Sequence, residues 1–252
     1  MPVIEKNLKV KVLVLGDSGV GKSSFTQLLC HNQSSKTPGY TIGCTVEIKL
    51  HDFKQGTAEE KTYCVEIWDI GASKSHNTSR YIFYNNVNGI ILAHDLTNLK
   101  SLQNLSKWLN DALSQDTTGG LSSIKVGSSA SRNSGDDNSP LSIPVLMVGT
   151  KLDQFNAENR QFIISRSKSY ADEIGCKEIH LSTIESKYIA AGSGNAVELS
   201  RFFDQVVDHA IIRQATVSSV VQSPVVDRRG SFGERRRQNV TPVSRLFGMK
   251  RD

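Results

Sequence analysis

The chain has 252 residues, 38% of them apolar and 22% charged, and no apolar run approaches the roughly 18 residues of a membrane span. Residues 213–252 hold 9 Lys/Arg against 3 acids, which leaves 21 against 22 for residues 1–212, so the net charge of +5 belongs to the C-terminal stretch. The body therefore lacks the electrostatic footprint of a nucleic-acid binder. Its four cysteines, Cys30, Cys44, Cys64 and Cys176, form no C-x-x-C pair, which argues against a disulfide framework or a zinc site. The first residues, Met1-Pro2-Val3-Ile4-Glu5, are neither a signal peptide nor a myristoylation site, and a reduced, cytoplasmic setting is expected.

Leu8–Leu15 alternates and then becomes wholly apolar, as a strand entering a sheet does. Gly16-Asp17-Ser18-Gly19-Val20-Gly21-Lys22-Ser23 follows at once, matching G-x-x-x-x-G-K-[ST], and Ser23–Cys30 reads as a helix. Thr45–Phe53 and Lys61–Trp68 are β-branched runs joined by a turn-rich segment, which predicts a hairpin. Asn88–His94, Ile143–Val148 and Lys177–Leu181 are further strands. Ser101–Leu113, Asn159–Glu173 and Asn195–Ile212 have helical spacing. Strands alternating with helices imply a largely parallel sheet covered on both faces. Two segments break the rhythm. Residues 114–142, rich in Gly, Ser, Asn and Asp, read as a disordered insert, and residues 213–252 as a disordered basic tail.

The glycines of the 16–23 loop let backbone N–H groups converge on phosphate oxygens, with the positive end of a helix behind them. Lys22 would reach the terminal phosphates and Ser23 would ligate magnesium, with Ser24 beginning the helix.

In order and spacing, residues 7–212 resemble the Ras superfamily and its Rab branch. The resemblance rests on the 16–23 loop, Thr41-Ile42-Gly43, Trp68-Asp69, Thr150-Lys151-Leu152-Asp153 and Ser182-Thr183. It implies a P-loop NTPase fold: three layers, α/β/α, around a mostly parallel six-stranded sheet with one antiparallel edge strand. It implies guanine nucleotide (GTP or GDP) and Mg2+ as ligands, with Gly16, Asp17, Ser18, Gly19, Val20, Gly21, Lys22, Ser23 and Ser24 at the phosphates. Thr41 would be the second metal ligand and the sensor of the γ-phosphate, and Asp69 would hold the metal through water. Thr150, Lys151 and Asp153 would read guanine, with Ser182 and Thr183 touching the base. Val46, Trp68 and Phe83 map onto the apolar trio that meets effectors or regulators. The insert, together with Gly43-Cys44 and the 92–97 stretch, points more narrowly to a Rab-like subfamily without a lipid anchor, and with no Cys after Cys176 no prenyl anchor is expected.

The departures from the family pattern are informative. Thr150 stands where the family has Asn, and Ser34 where an aromatic stacks on the purine. Ser73 replaces the Gln that orients the attacking water, and Ala72 replaces the Gly that contacts the γ-phosphate, where a positive φ would be strained. Ser34 and Thr150 together predict fast exchange; Ser73, with Lys22 as the other catalytic group, predicts a weak GTPase. The expectation is an atypical switch in signalling, intracellular transport or regulation of other small GTPases. The alternative is a nucleotide-stabilised interaction module, a homodimer, with negligible hydrolysis. The basic tail, with Arg228-Arg229 and Arg235-Arg236-Arg237, supports at most weak peripheral membrane contact, and Ser231 has the context of a basophilic phosphosite.

Overall fold

Lys9–Leu15 forms strand β1, whose side chains divide between two cores: Val10, Val12 and Val14 enter one, and Leu13 and Leu15 the other. The computed structural model describes residues 8–34, 39–73, 80–115, 143–155 and 160–221. Residues 116–142 of the expected insert and 222–252 of the expected tail lie outside them. The sheet continues with β2 (Cys44–Phe53), β3 (Lys61–Ile70), β4 (Gly89–Asp95), β5 (Val145–Thr150) and β6 (Lys177–His180). The order is β2-β3-β1-β4-β5-β6, with β2 antiparallel to β3 and every other pair parallel.

Five helices cover it: α1 (Lys22–His31), α2 (Leu99–Gln103), α3 (Leu105–Gln115), α4 (Arg160–Ile174) and α5 (Gly194–Val221). The Val10 core is closed by Phe25 and Leu29 of α1 and by Phe202, Phe203 and Val206 of α5. The Leu13 core is closed by Leu105, Trp108 and Leu109 of α3 and by Ala171 of α4. Each fully buried Leu, Val or Phe contributes on the order of 1.5–3 kcal/mol, so β4, buried at all seven positions, is as strongly determined as β1. This is the expected three-layer P-loop architecture. Strand β1 lies between β3 and β4, so the chain builds the sheet first on one side of it and then on the other, and the crevice above that reversal is where such sheets take ligands.

Most boundaries shift by one or two residues, and the helical differences have a local cause. The single helix expected over 101–113 is two. Asn98 caps α2, its Oδ1 accepting from the Lys100 N–H at 3.1 Å, so the helix starts earlier. Asn104 closes α2 through its N–H and opens α3 through its carbonyl, which accepts from Lys107 and Trp108. Residues 213–221, expected to belong to the tail, are helical instead, because α5 runs to Val221. No Pro or Gly lies between Ile212 and Pro224, so nothing local stops the helix at 212. None of the described helices is long and apolar enough to cross a membrane.

Candidate functional site

The loop after β1 turns back over the sheet at Gly16. Its φ is +146° and an added Cβ would lie 2.1 Å from the Ala93 carbonyl oxygen, so only glycine fits. Gly21 then starts α1 with no side-chain cap and no acid in the first turn, which leaves the positive helix end open to an anion. Lys22 is 6% exposed, and its Nζ donates to the carbonyls of Gly16 and Asp17, both at 2.9 Å. Burial lowers the Lys22 pKa to about 8, with Asp69 and Asp17 pulling it back up. The ammonium is therefore costly where it stands and well placed to exchange two neutral acceptors for phosphate oxygens.

Ser23 lies one residue on, and its Oγ donates to Asp69 Oδ2 at the end of β3 while sharing a hydrogen bond of 2.9 Å with Thr41 Oγ1. Thr41 also donates to Asp69 Oδ2 at 3.2 Å. The three oxygens predicted to surround magnesium are thus brought together from α1, the 39–43 loop and β3. Asp69 Oδ1 is buried and has no hydrogen-bond partner among the described residues, an orphan that a hydrated divalent cation would satisfy. Hard oxygen donors of this kind fit Mg2+. Gly71 holds the two loops in contact: its N–H donates to the Gly43 carbonyl at 2.8 Å, and an added Cβ would lie 2.6 Å from the Thr41 carbonyl oxygen.

A cavity of about 470 Å³ runs from these groups to the segment after β5. Ser18, Gly19, Gly21, Lys22, Ser23, Ser24, Thr41 and Ala72 line one end, and Lys151, Asp153 and Thr183 the other. Asp153 sits in a single 3-10 turn, Leu152–Gln154, entered through Lys151 in the left-handed conformation. That turn is pinned from below, where Lys151 Nζ meets Asp95 Oδ2 at 2.6 Å. Burial pushes the Asp95 carboxyl up, but hydrogen bonds from Lys151 and Thr97 outweigh it and hold it below its usual range.

The remaining predicted residues act from behind the cavity. Thr150 is fully buried, and its Oγ1 donates to the carbonyl of Val20 in the phosphate loop and reaches that of His94 at 2.9 Å. The tie between the base segment and the phosphate loop, which the sequence reading expects to be weakened, is therefore present with a hydroxyl as donor. Val20 and Ser182 are buried and do not line the cavity. Asp17 turns its carboxylate to α3, accepting from Asn104 Nδ2 at 2.6 Å and Trp108 Nε1 at 2.8 Å. Ser34 is exposed and does not line the cavity, so no aromatic or apolar group is supplied from there.

In the 69–73 segment, the second switch that the Ras-superfamily resemblance implies, Ala72 does not adopt a positive φ, so the strain expected of a non-glycine there is not incurred. The Ser73 carbonyl accepts from Arg80 Nη2 at 2.6 Å. Val46 lies directly across from Trp68 in the β2–β3 ladder, and Phe83 approaches Trp68 with ring centroids 6.2 Å apart. The predicted partner trio is one contiguous patch.

Sequence reasoning missed Tyr40, Gln154 and Ile184, which also line the cavity. Ile184 is 37% exposed, and it presents an apolar surface at the base end, beside Thr183. It also missed Asn104, Trp108 and Arg80. Their available signal was polar or aromatic residues at core-facing helical positions, which periodicity alone assigns to packing.

Residues 11–127 match the family described as Ras of Complex, Roc, domain of DAPkinase. Over 206 residues the chain is 49% identical to Rab-like protein 3 of Bos taurus and 48% identical to that of Homo sapiens, covering 79% of this chain and 85% of each relative. It is 46% identical over 215 residues to Rab-like protein 3 of Xenopus tropicalis, covering 83% of this chain and 89% of that one.

Proposed function

The chain belongs to the Rab-like protein 3 family of small GTPases, and from that premise we propose that it binds guanine nucleotide with Mg2+, hydrolyses it slowly and exchanges it quickly. The observation that carries this reading is one cavity lined by Lys22, Ser23 and Thr41 at one end, where Ser23 and Thr41 also meet Asp69, and by Asp153 at the other. Ser23 and Thr41 would hold the metal directly and Asp69 through water, and the metal would neutralise charge on the phosphate oxygens.

Each residue then has a defined task. Lys22 leaves the Gly16 and Asp17 carbonyls for the terminal phosphates. The amides of the 16–21 loop and the start of α1 cradle the phosphates, and Thr41 reports the third. The Asp153 carboxylate accepts from N1–H and the exocyclic amine of guanine, a pair that adenine does not offer, so an adenine nucleotide would leave it unpaired. Ser73 is too short to orient an attacking water as Gln does, which keeps unassisted turnover at or below the order of 10⁻⁴ s⁻¹. Ser34, too short to line the cavity, leaves one face of the purine without an aromatic wall and speeds release. Thr150, by contrast, keeps its tie, so fast exchange rests on Ser34. The Val46–Trp68–Phe83 patch would receive effectors or regulators, in the cytoplasm.

The same patch, together with Ser73, favours a second reading: an interaction module, self-associating or scaffolding, in which nucleotide only stabilises the fold. Competition of GTP and ATP for the protein in Mg2+ tests the first claim, and equal affinities would overturn it. Multiple-turnover phosphate release, with and without activating proteins, separates switch from module, since the module shows none in either case.

A further inference from the structure

Asp17 faces two ways. Its backbone carbonyl accepts from Lys22 Nζ at 2.9 Å, while its carboxylate accepts from Asn104 Nδ2 at the α2–α3 junction and Trp108 Nε1 on α3. The second of those bonds fixes the plane of the Trp108 indole. Over that ring, 4.6 Å from its centroid, lies the guanidinium of Arg80, which is only 6% exposed. Arg80 in turn donates from Nη2 to the Ser73 carbonyl at 2.6 Å. A buried guanidinium needs neighbours that accept its charge and its protons: here the indole face does the first, the Ser73 carbonyl and the Tyr84 hydroxyl share the second, and Nε has no partner among the described residues. One continuous chain of contacts thus joins the phosphate lysine, through Asp17, Trp108 and Arg80, to the backbone of the second switch.

We propose that Arg80, seated on Trp108, is a positioning residue that holds the start of the second switch against the phosphate loop, and that it thereby sets the preference for nucleoside triphosphate over diphosphate. The proposal rests on the guanine-nucleotide reading above. Ala72, which lines the cavity, is bonded to Ser73, so the carbonyl that Arg80 grips sits next to the segment that faces the third phosphate. In switches of this family a Gln side chain adds its own interactions at position 73. Here the side chain is a short Ser, and the backbone grip carries the alignment. A diphosphate lacks the third phosphate that this segment would meet, so its affinity should be indifferent to that grip. The planar fork of Arg80 both stacks and donates in a fixed direction, whereas a Lys would keep the charge and lose the geometry.

The test uses the full chain in Mg2+ and measures dissociation constants for fluorescent GDP and for a non-hydrolysable GTP analogue. Arg80→Ala should weaken the triphosphate roughly tenfold (about 1.4 kcal/mol) and leave GDP within twofold. Arg80→Lys should fall between. Trp108→Phe keeps a ring under the guanidinium but drops the N–H to Asp17, and should lose part of the preference. It also serves if Arg80→Ala does not fold. A purely structural Arg80 would weaken both nucleotides alike, and equal losses, or none, in these variants overturn the inference while leaving guanine binding intact. A wild type that binds neither nucleotide overturns the reading beneath it and the inference with it.

Discussion

The phosphate end and the base end of the cavity are built from different kinds of group. At the phosphate end the anchors lie within eight consecutive residues, Gly16–Ser23, joined by two oxygens, from Thr41 and Asp69, that meet Ser23. Most of them are backbone amides, so they depend on the loop's path and not on long side chains. At the base end, Lys151, Asp153, Thr183 and Ile184 arrive from two segments, after β5 and after β6. Those segments are held by Thr150, Asp95 and the Leu152 N–H to Leu181 carbonyl bond of 3.3 Å. A site made of backbone tolerates side-chain drift around it. A site made of side chains on separate loops does not, and the departures from the family pattern fall outside the 16–23 loop, at Ser34 and Thr150 and in the second switch at Ala72 and Ser73.

If that contrast is right, the largest loss comes from the one side chain the phosphate end cannot spare. Lys22→Ala removes charge-assisted bonds worth about 1.5–3 kcal/mol each, and nucleotide affinity should fall roughly a hundredfold or more for GTP and ATP alike. Titration calorimetry reads it, and a variant that still binds tightly would show that the backbone alone suffices. At the other end, Asp153→Asn should spare the phosphates and reduce the GTP-over-ATP ratio roughly a hundredfold, measured by competition.

The acidity of Lys22 sharpens the comparison through pH. In the free protein its pKa is lowered to about 8 by burial, and bound phosphate would raise it again. Affinity should therefore be level below pH 8 and fall by up to tenfold per unit above it, with a proton taken up on binding. Stability of the free fold moves the opposite way. Between about pH 8 and 10.5 the unfolded chain holds the Lys22 proton that the folded one has released, so this group's contribution to stability rises with pH. A flat affinity profile across pH 7–9.5 would contradict the buried ammonium.

Thr150→Val deletes the donor to the Val20 and His94 carbonyls. GDP release should quicken by about tenfold with the GTP-over-ATP ratio unchanged, because the residue ties the two ends together without touching the base. The smallest effect is expected of Ser34→Phe, which restores an aromatic wall worth about 0.5–1.5 kcal/mol and should slow fluorescent GDP release by roughly two- to tenfold. If release from the wild type already takes hours, the fast-exchange proposal fails.

How far the sequence could be read followed the same division. The phosphate loop was legible because its chemistry needs a fixed run of residue types, and β1 and β4 were legible because apolar runs that long belong only in a covered sheet. Asn98 and Asn104 were passed over because a cap or a helix junction at an Asn leaves hydrophobic periodicity unbroken. Ile184 looked like any apolar loop residue, since nothing local tells an exposed Ile from one beside a ligand. Thr150 looked like a weakened Asn, because its reach to Val20 depends on where β5 ends relative to a loop 130 residues away.

The sequence by itself determined the fold class, the G-x-x-x-x-G-K-S loop and the order along the chain of the residues proposed to read the base, since each follows from local residue types and their spacing. Only the tertiary structure decided which hydroxyls gather at Asp69, that Thr150 preserves the tie between the two ends, and that Arg80 lies on Trp108 beside the second switch. Those contacts join residues from 18 to 130 positions apart. Their distances are set by how the sheet and helices pack, a property of the whole core and of no segment within it.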